Sequence, residues 1–346
     1  MIYYDVTKMG GARHKSGLMR VTSRLLAALG AAVQPVSWQR GAWVDAARRP
    51  VRLRPADWVL TVELFSGAER PGLREFIAAR PCRLAAVFHD AIPLKLPHIT
   101  WPHSVQRHPD YMKLLAGFDR VWAISEWSRS ELTGFWAWQG VQPRARVDVI
   151  ALGADFDGSA RAAATPGPAG RPSLLCVGIV EPRKNHEFLL AVAEELWRAG
   201  HDFDLHIAGR VNPHFGEPIA RRIKALAKRE KRLRFHGAAS DATLHALYAS
   251  ARAVVFPTIA EGCGLPLLEA LWRGVPCVCS DLAVLRENAE GGGCLTAALN
   301  DVADWARQLG RVLSDEGEAG RLRRAAAARP LPTWAEAGGA LRRELA

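Results

Sequence analysis

Short apolar runs alternate along the chain with stretches whose apolar residues recur every three or four positions. The first pattern predicts buried strands and the second amphipathic helices. In the first half, strands are predicted at 2–6, 58–63, 84–89, 120–124 and 147–151, with helices at 17–29, 72–80, 104–117 and 127–138. The stretch GSARAAATPGPAGRP (158–172) breaks the rhythm and reads as a linker. The alternation then restarts, with strands at 174–178, 204–208, 233–236, 252–256 and 276–279 and helices at 185–199, 216–230, 241–250 and 266–273. Repeated strand–helix units predict an α/β fold of parallel sheets covered by helices. Two such series imply two doubly wound, Rossmann-like domains facing a cleft, over 1–157 and 173–330. Ligands in that architecture sit beyond the carboxyl ends of strands, so the residues there carry the functional reading.

The most informative strand end is EGCGLPLLEA, residues 261–270. It follows the strand AVVFP and leads into a helical run closed by Gly274 and Pro276. Glu261 and Glu269 bracket Gly262, Gly264 and Pro266, and proline suits the first helical position. The backbone N–H groups near Gly264 and Leu265 then lie at a helix N-terminus, where an anion binds well. Amides that hold a phosphate beside acids that hold hydroxyls point to a nucleotide-linked substrate.

Other strand ends add to this. After LLCVGIV come Glu181, Pro182, Arg183 and Lys184. Two cations at a helix start suit a diphosphate leaving group, although an exposed basic pair is the commoner fate of Arg-Lys. They also oppose the helix dipole, and that breach of a local rule favours a functional role. After LAAVF comes His89, placed to donate to a sugar hydroxyl, to carry a proton, or simply to cap the next turn. After the first strand, Gly10, Gly11 and Gly17 make a loop that carries Arg13, Lys15 and Arg20. It reads as an acceptor or phosphate loop or as a solvated connection, and it lacks the GxGxxG of dinucleotide binders. Gly209 and Gly237 follow two further strands and leave backbone free to face a nucleobase.

Composition changes the picture in two ways. The formal charge of +11, from 46 basic and 35 acidic residues, favours anionic partners. The six cysteines form no CxxC pair, which argues against zinc and for reduced thiols in a cytoplasmic protein. Cys277 and Cys279 lie in a strand and are expected on its opposite faces. The N-terminus reads as a strand rather than a signal peptide, and no run approaches the roughly 20 apolar residues of a membrane span. The D-x-D tripeptides at 155–157 and 202–204 lack further acidic ligands and read as structural. His98, His103 and His108 would splay by roughly 140° per step on a helix, so they share no metal locally. The basic run 221–234 suits an anionic membrane or nucleic acid, with a solvated helix face as the plainer reading.

Taken together, EGCGLPLLEA, GIVEPRKNHEFLL, VFHDAIPLKLP, VWAISEWSRSEL, SDATLHALYASARAVVFPT, GVPCVCSDLAVLRE, TWAEAGGALRREL and the early SGLMR resemble the retaining nucleotide-sugar glycosyltransferases of family 4, nearly end to end. The variant E-P-R-K-N is similar to mannosyltransferases of bacterial polysaccharide assembly. The resemblance implies the GT-B fold. It implies an acceptor domain over 1–157, a donor domain over 173–330, and a terminal helix at about 333–346 that packs back on the first. It implies that Glu269 binds the donor ribose, and that Glu261 and His89 lie near the donor sugar and its reacting carbon. Arg183 and Lys184 would stabilise the diphosphate, with backbone contacts from Gly262, Gly264 and Leu265. Cys263 departs from the family, which usually has a bulky aromatic there.

The activity so implied is metal-independent, retaining transfer of a hexose, best matched by mannose from GDP-mannose. The acceptor is a saccharide or lipid-linked saccharide, at the inner face of an anionic membrane, and no cofactor is expected. Two other classes stand beside it. A nucleotide-sugar epimerase on the same fold would rearrange donor without acceptor. A basic nucleic-acid-binding protein would rest on the charge alone, and the paired acids argue against it because carboxylates repel a phosphate backbone.

Overall fold

The computed structural model describes residues 1–9, 17–155, 158, 160–161 and 170–346. Gly10, Gly11, Arg13 and Lys15 of the first loop, residues 156–157 of the first D-x-D, and much of the linker lie outside the described residues. The chain divides into two units: Met1–Gly153 with Pro332–Ala346, and Ala154–Leu331.

The first unit begins Ile2–Asp5 (β1), Gly17–Leu29 (α1), Val33–Gln39 (β2), Ala42–Val44 (β3), Trp58–Thr61 (β4) and Leu73–Ala79 (α2). It continues Arg83–Phe88 (β5), Ile92–Lys95 (α3), Pro102–Leu115 (α4), Arg120–Ala123 (β6), Glu126–Trp138 (α5) and Arg146–Val149 (β7). Its seven strands run in the order β3-β2-β1-β4-β5-β6-β7. All the pairings are parallel except the β2–β3 hairpin. The strands β1, β4 and β5 are buried nearly throughout, as a sheet covered on both faces requires. One face carries a core of Val59, Leu84, Phe88, Tyr111, Leu132 and Trp136.

The second unit runs Ser173–Val177 (β8), His186–Arg198 (α6), Asp204–Ala208 (β9), Glu217–Arg229 (α7), Leu233–Gly237 (β10), Asp241–Ser250 (α8) and Ala253–Phe256 (β11). Leu265–Trp272 (α9), Cys277–Ser280 (β12), Ala283–Ala289 (α10), Cys294–Ala297 (β13), Val302–Ser314 (α11) and Glu316–Ala328 (α12) complete it. Its six strands are all parallel, in the order β10-β9-β8-β11-β12-β13. In each unit the order reverses beside the first strand, between β1 and β4 and between β8 and β11. That reversal is where a doubly wound sheet opens a crevice at its carboxyl edge.

The last helix, Trp334–Glu344 (α13), returns to the first unit. Thr333 and Glu336 close it with a capping box. Gly338 lets α13 lie close to α1, since an added Cβ would stand 2.7 Å from the Ala28 Cβ.

Gly17 opens α1, where the helix predicted at 17–29 begins, and Arg20 stands in its first turn, so both lie beyond the loop with which the sequence also groups them. Two further expectations are corrected. Pro266 is the second residue of α9, after Leu265. Cys277 and Cys279 share one face of β12, because side chains two apart in a strand point the same way. Burial, reinforced by the Cys279 thiol, raises the Cys277 thiol well above its ordinary value.

Candidate active site

In the second unit, the loops after β8 and β11 meet at the reversal of strand order. Pro182–Lys184 form one 3-10 turn, and Asn185 takes a left-handed conformation before α6 begins. The loops are tied by Ile259 N–H donating to Arg183 O at 2.9 Å, with the Thr258 hydroxyl oxygen 3.1 Å from the same carbonyl. This brings Arg183 and Lys184 onto Glu261. Arg183 Nη1 donates to Glu261 Oε1 at 2.9 Å, the Thr258 hydroxyl donates to it at 2.8 Å, and Lys184 Nζ closes on the same oxygen. Arg183 Nη2 also donates to Glu181 Oε1 at 2.9 Å, and the Asn212 amide donates to Glu181 Oε2 at 2.9 Å.

Two cations at a helix start are thus balanced by two carboxylates, which is why the breach of the dipole rule is tolerated. Burial works to raise the carboxyl of Glu261, but Lys184 and Arg183 outweigh it and hold the group below its ordinary range. Burial lowers Lys184 from its ordinary value, against the pull of Glu261. Lys184 also lies 4.9 Å from the centre of the Phe256 ring. Arg183 is the most open of the four, with 21% of its side chain exposed against 10% for Lys184.

Three residues past Glu261, Gly264 caps α9 at φ 91°, a left-handed conformation that suits glycine. A side chain there would also press within 2.6 Å of the Leu285 Cδ2. Gly262 and Cys263 are buried beside it. Burial pushes the Cys263 thiol up to about 12, and its carbonyl accepts from the Asn288 amide at 2.6 Å. Cysteine therefore acts here as a small packed side chain. Glu269, only 4% exposed, stands further along α9 and accepts from the Tyr248 hydroxyl of α8 at 3.3 Å.

Gly209 lies hard against Gly178, where a Cβ would collide with the Gly178 carbonyl. Its N–H donates to Gly237 O at 2.7 Å, so the ends of β8, β9 and β10 are drawn together by residues without side chains.

In the first unit, His89 is buried at the end of β5, with Nε2–H donating to Val62 O at 2.8 Å. That bond leaves the lone pair on Nδ1. Burial lowers the ring's pKa from its ordinary value and so favours the neutral form. The Ser128 hydroxyl donates to the His89 carbonyl at 2.8 Å and fixes its backbone.

A cluster absent from the sequence reading lies where β1 and β4 end. Arg70 donates to Asp5 Oδ2 at 2.6 Å and to Glu63 Oε2 at 2.9 Å, and all three side chains are essentially excluded from solvent. Glu63 also accepts the Lys8 N–H, and Asp5 accepts the Thr7 N–H at 3.0 Å. The cluster thereby anchors the beginning of the β1–α1 connection. Burial first, and the Asp5 charge second, push the Glu63 carboxyl up to about 7. Asp5 lies 65 positions from Arg70, so although Glu63 and Arg70 are only seven apart, local spacing does not reveal the cluster.

The remaining candidates do not assemble. Asp204 opens β9 and pairs with Arg171, and His108 is bound to Asp90 O at 2.9 Å. Among the described residues, no three His, Cys, Asp or Glu side chains converge as metal ligands. No helix among them is long and apolar enough to cross a membrane.

Comparison with known proteins finds similarities to this arrangement. The family described as Glycosyl transferases group 1 matches residues 171–315, most of the second unit. The chain is 32% identical over 217 residues to a serotype-specific mannosyltransferase, WbdA, of Escherichia coli, covering 59% of this chain and 26% of the relative. It is 31% identical over 204 residues to an O-antigen chain mannosyltransferase B of Escherichia coli, covering 57% and 52%. The chain thus spans about a quarter of the first relative and half of the second. Among solved structures, a sucrose-phosphate synthase from Thermosynechococcus elongatus superimposes with TM-score 0.74 at 19% identity, over 99% of this chain and 98% of that one. Anabaena Alr3699/HepE in complex with UDP and glucose gives TM-score 0.64 at 14% identity, over 94% and 93%. The structural matches establish the fold, and the sequence matches a similarity over part of the chain. The chain thus has an α/β GT-B fold, its residues 171–315 match the group 1 glycosyl transferases, and parts of it are similar to a serotype-specific mannosyltransferase and an O-antigen chain mannosyltransferase of Escherichia coli.

Proposed function

We propose that the chain transfers a hexose, with retention at the anomeric carbon and without a metal, from a nucleotide diphosphate sugar to a hydroxyl. The donor proposed is GDP-mannose, and the acceptor a saccharide or lipid-linked saccharide. The observation that carries this reading is the meeting of Arg183 and Lys184 on Glu261, just before the N-terminus of α9. Both sequence relatives are mannosyltransferases, which supports the choice of sugar.

In this reading Arg183 and Lys184 turn from Glu261 toward the diphosphate, together with the amides of Gly264 and Leu265. The bond from the anomeric carbon to the diphosphate oxygen breaks, and its electron pair leaves with the diphosphate. Positive character grows on the sugar ring. The acceptor oxygen bonds to that carbon on the same face, and its proton passes to the departing phosphate. Cations and helix amides stabilise the negative charge that develops there, in place of a metal. Glu261 has a dual role, orienting both cations and lying near the sugar. Glu269 takes the ribose hydroxyls, held in its rotamer by Tyr248. His89, with Nδ1 open as an acceptor, receives a sugar hydroxyl.

A thermal-shift series with GDP, UDP, GDP-mannose and UDP-glucose tests the donor. Selective stabilisation by GDP and GDP-mannose is expected, since a ligand at 100 times its Kd adds about 2.7 kcal/mol. Stabilisation by UDP alone would overturn the choice of base. Unchanged turnover in excess chelator is expected, and its loss would overturn metal independence. Donor incubated without acceptor should keep its configuration; a rearranged sugar would turn the reading to an epimerase.

A further inference from the structure

The positive charge of the second unit is gathered in one place. Residues 221–234 carry eight Lys or Arg and one Glu, whereas the rest of that unit carries 15 Lys or Arg against 20 Asp or Glu. The unit is therefore basic along α7 and the turn after it, and acidic elsewhere.

The structure shows how this charge is presented. Ile219, Ala220, Ile223 and Leu226 bury one side of α7 against the core. On the opposite side Arg221, Lys224 and Lys228 are exposed and fall within an arc of roughly 60°. Arg222 and Arg229 are exposed at its margin, and Lys231 just beyond the helix. Arg221, Lys224, Lys228, Arg229 and Lys231 form no ion pair among the described residues. Arg222 reaches Glu187 only at 3.5 Å. By contrast, Arg232 is spent internally, held by Glu230 at 2.7 Å and lying over the Trp197 ring.

We propose that this face of α7 is an electrostatic docking surface for an anionic lipid bilayer. A cylinder roughly 20 Å long with coplanar cations matches a flat sheet of anionic headgroups. The large exposed apolar side chains among the described residues are Met1, Trp101, Trp138 and Leu299, none of them on α7. Contact is therefore with headgroups and involves no insertion, so it weakens with salt. A nucleic acid fits less well, because single strands favour a groove with stacking aromatics, and the exposed arc of α7 has no aromatic side chain. This inference stands apart from the sugar chemistry and survives or fails independently of it.

The test is co-sedimentation of the full chain with vesicles of phosphatidylcholine alone or with 30% phosphatidylglycerol, at low and high salt. The wild type should bind the anionic vesicles, release in high salt, and ignore the neutral ones. Each cation near such a surface is worth about fivefold in affinity. The double variant Lys224→Gln/Lys228→Gln should thus lose about 25-fold, and Arg221→Glu/Lys224→Glu/Lys228→Glu more than 100-fold. A control, Arg48→Glu/Arg52→Glu in the first unit, should bind as the wild type does. Circular dichroism checks that each variant is folded, and the mild double variant suffices if the triple is not. The proposal is overturned if the α7 variants bind like the wild type, if the control loses binding equally, or if the wild type ignores anionic vesicles. Tighter, salt-sensitive binding to a DNA oligonucleotide than to vesicles would also overturn it, in favour of a nucleic acid partner.

Discussion

The two units place buried charge at the same topological position and balance it differently. Where β1 meets β4, two carboxylates, Asp5 and Glu63, share one guanidinium, Arg70. Where β8 meets β11, two carboxylates, Glu181 and Glu261, face two cations, Arg183 and Lys184. The first cluster has an acid in excess, and its Glu63 is pushed up to about 7. The second is even, and its Glu261 is held below the ordinary range. An acid-rich cluster repels a diphosphate, whereas two cations are what the proposed diphosphate site requires. The reversal of strand order thus provides a position in both units, and local charge decides what it can hold.

The largest effect expected from breaking this comparison is in the first unit. Arg70→Met leaves Asp5 and Glu63 buried without their shared guanidinium, and should destabilise the fold by about 3–5 kcal/mol in urea unfolding. A loss below about 1 kcal/mol would mean that the cluster is not the buried charge centre described. Next is Arg183→Ala or Lys184→Ala, each expected to lower kcat/KM for transfer by about 100-fold or more, in line with removing one stabilising donor from a developing anion. Wild-type rates in both would remove the second cluster from the chemistry.

The third expectation concerns pH. Glu63 binds its proton more tightly folded than unfolded, so its contribution to stability falls as pH rises from its ordinary value near 4.5 to about 7. Glu63→Gln should flatten that part of the stability profile, a change of roughly 1–3 kcal/mol across it. An unaltered slope would contradict the raised value. Glu261 has the opposite sign: its folded pKa is depressed, so its stabilisation is present above the unfolded value near 4.5 and lost as pH falls through the folded one. The smallest effect is Tyr248→Phe. Losing the hydroxyl that holds Glu269 should weaken donor binding by about fivefold, the worth of roughly one hydrogen bond. A titration that shows no change would leave Glu269 oriented by something else.

The sequence revealed what is local. β4, β5, β8 and β11 are unbroken apolar runs, and α6 and α7 have clear helical periodicity, so both were legible. The β2–β3 hairpin escaped, because Gln34, Pro35 and Ser37 interrupt its apolar pattern and its partner strand is three residues long. Also missed were β13, preceded by three glycines, and the helices α10 to α12. At the site, Arg183, Lys184 and Glu261 could be named from motif and strand-end position, but their mutual hydrogen bonds could not. Nor could the parts of Thr258 and Asn212, whose types are common and whose partners lie in other segments. The Asp5–Glu63–Arg70 cluster was invisible for the same reason: it is made by strand pairing across the sheet and by a loop, with no pattern along the chain.

Calorimetric titration of GDP into the wild type and into Lys184→Ala, each shown to be folded, tests the central claim most directly. The account predicts saturable binding by the wild type and a loss of at least tenfold in the variant, with no such loss in Glu63→Gln. Equal affinity in wild type and Lys184→Ala, or no binding to the wild type at millimolar GDP, would contradict it.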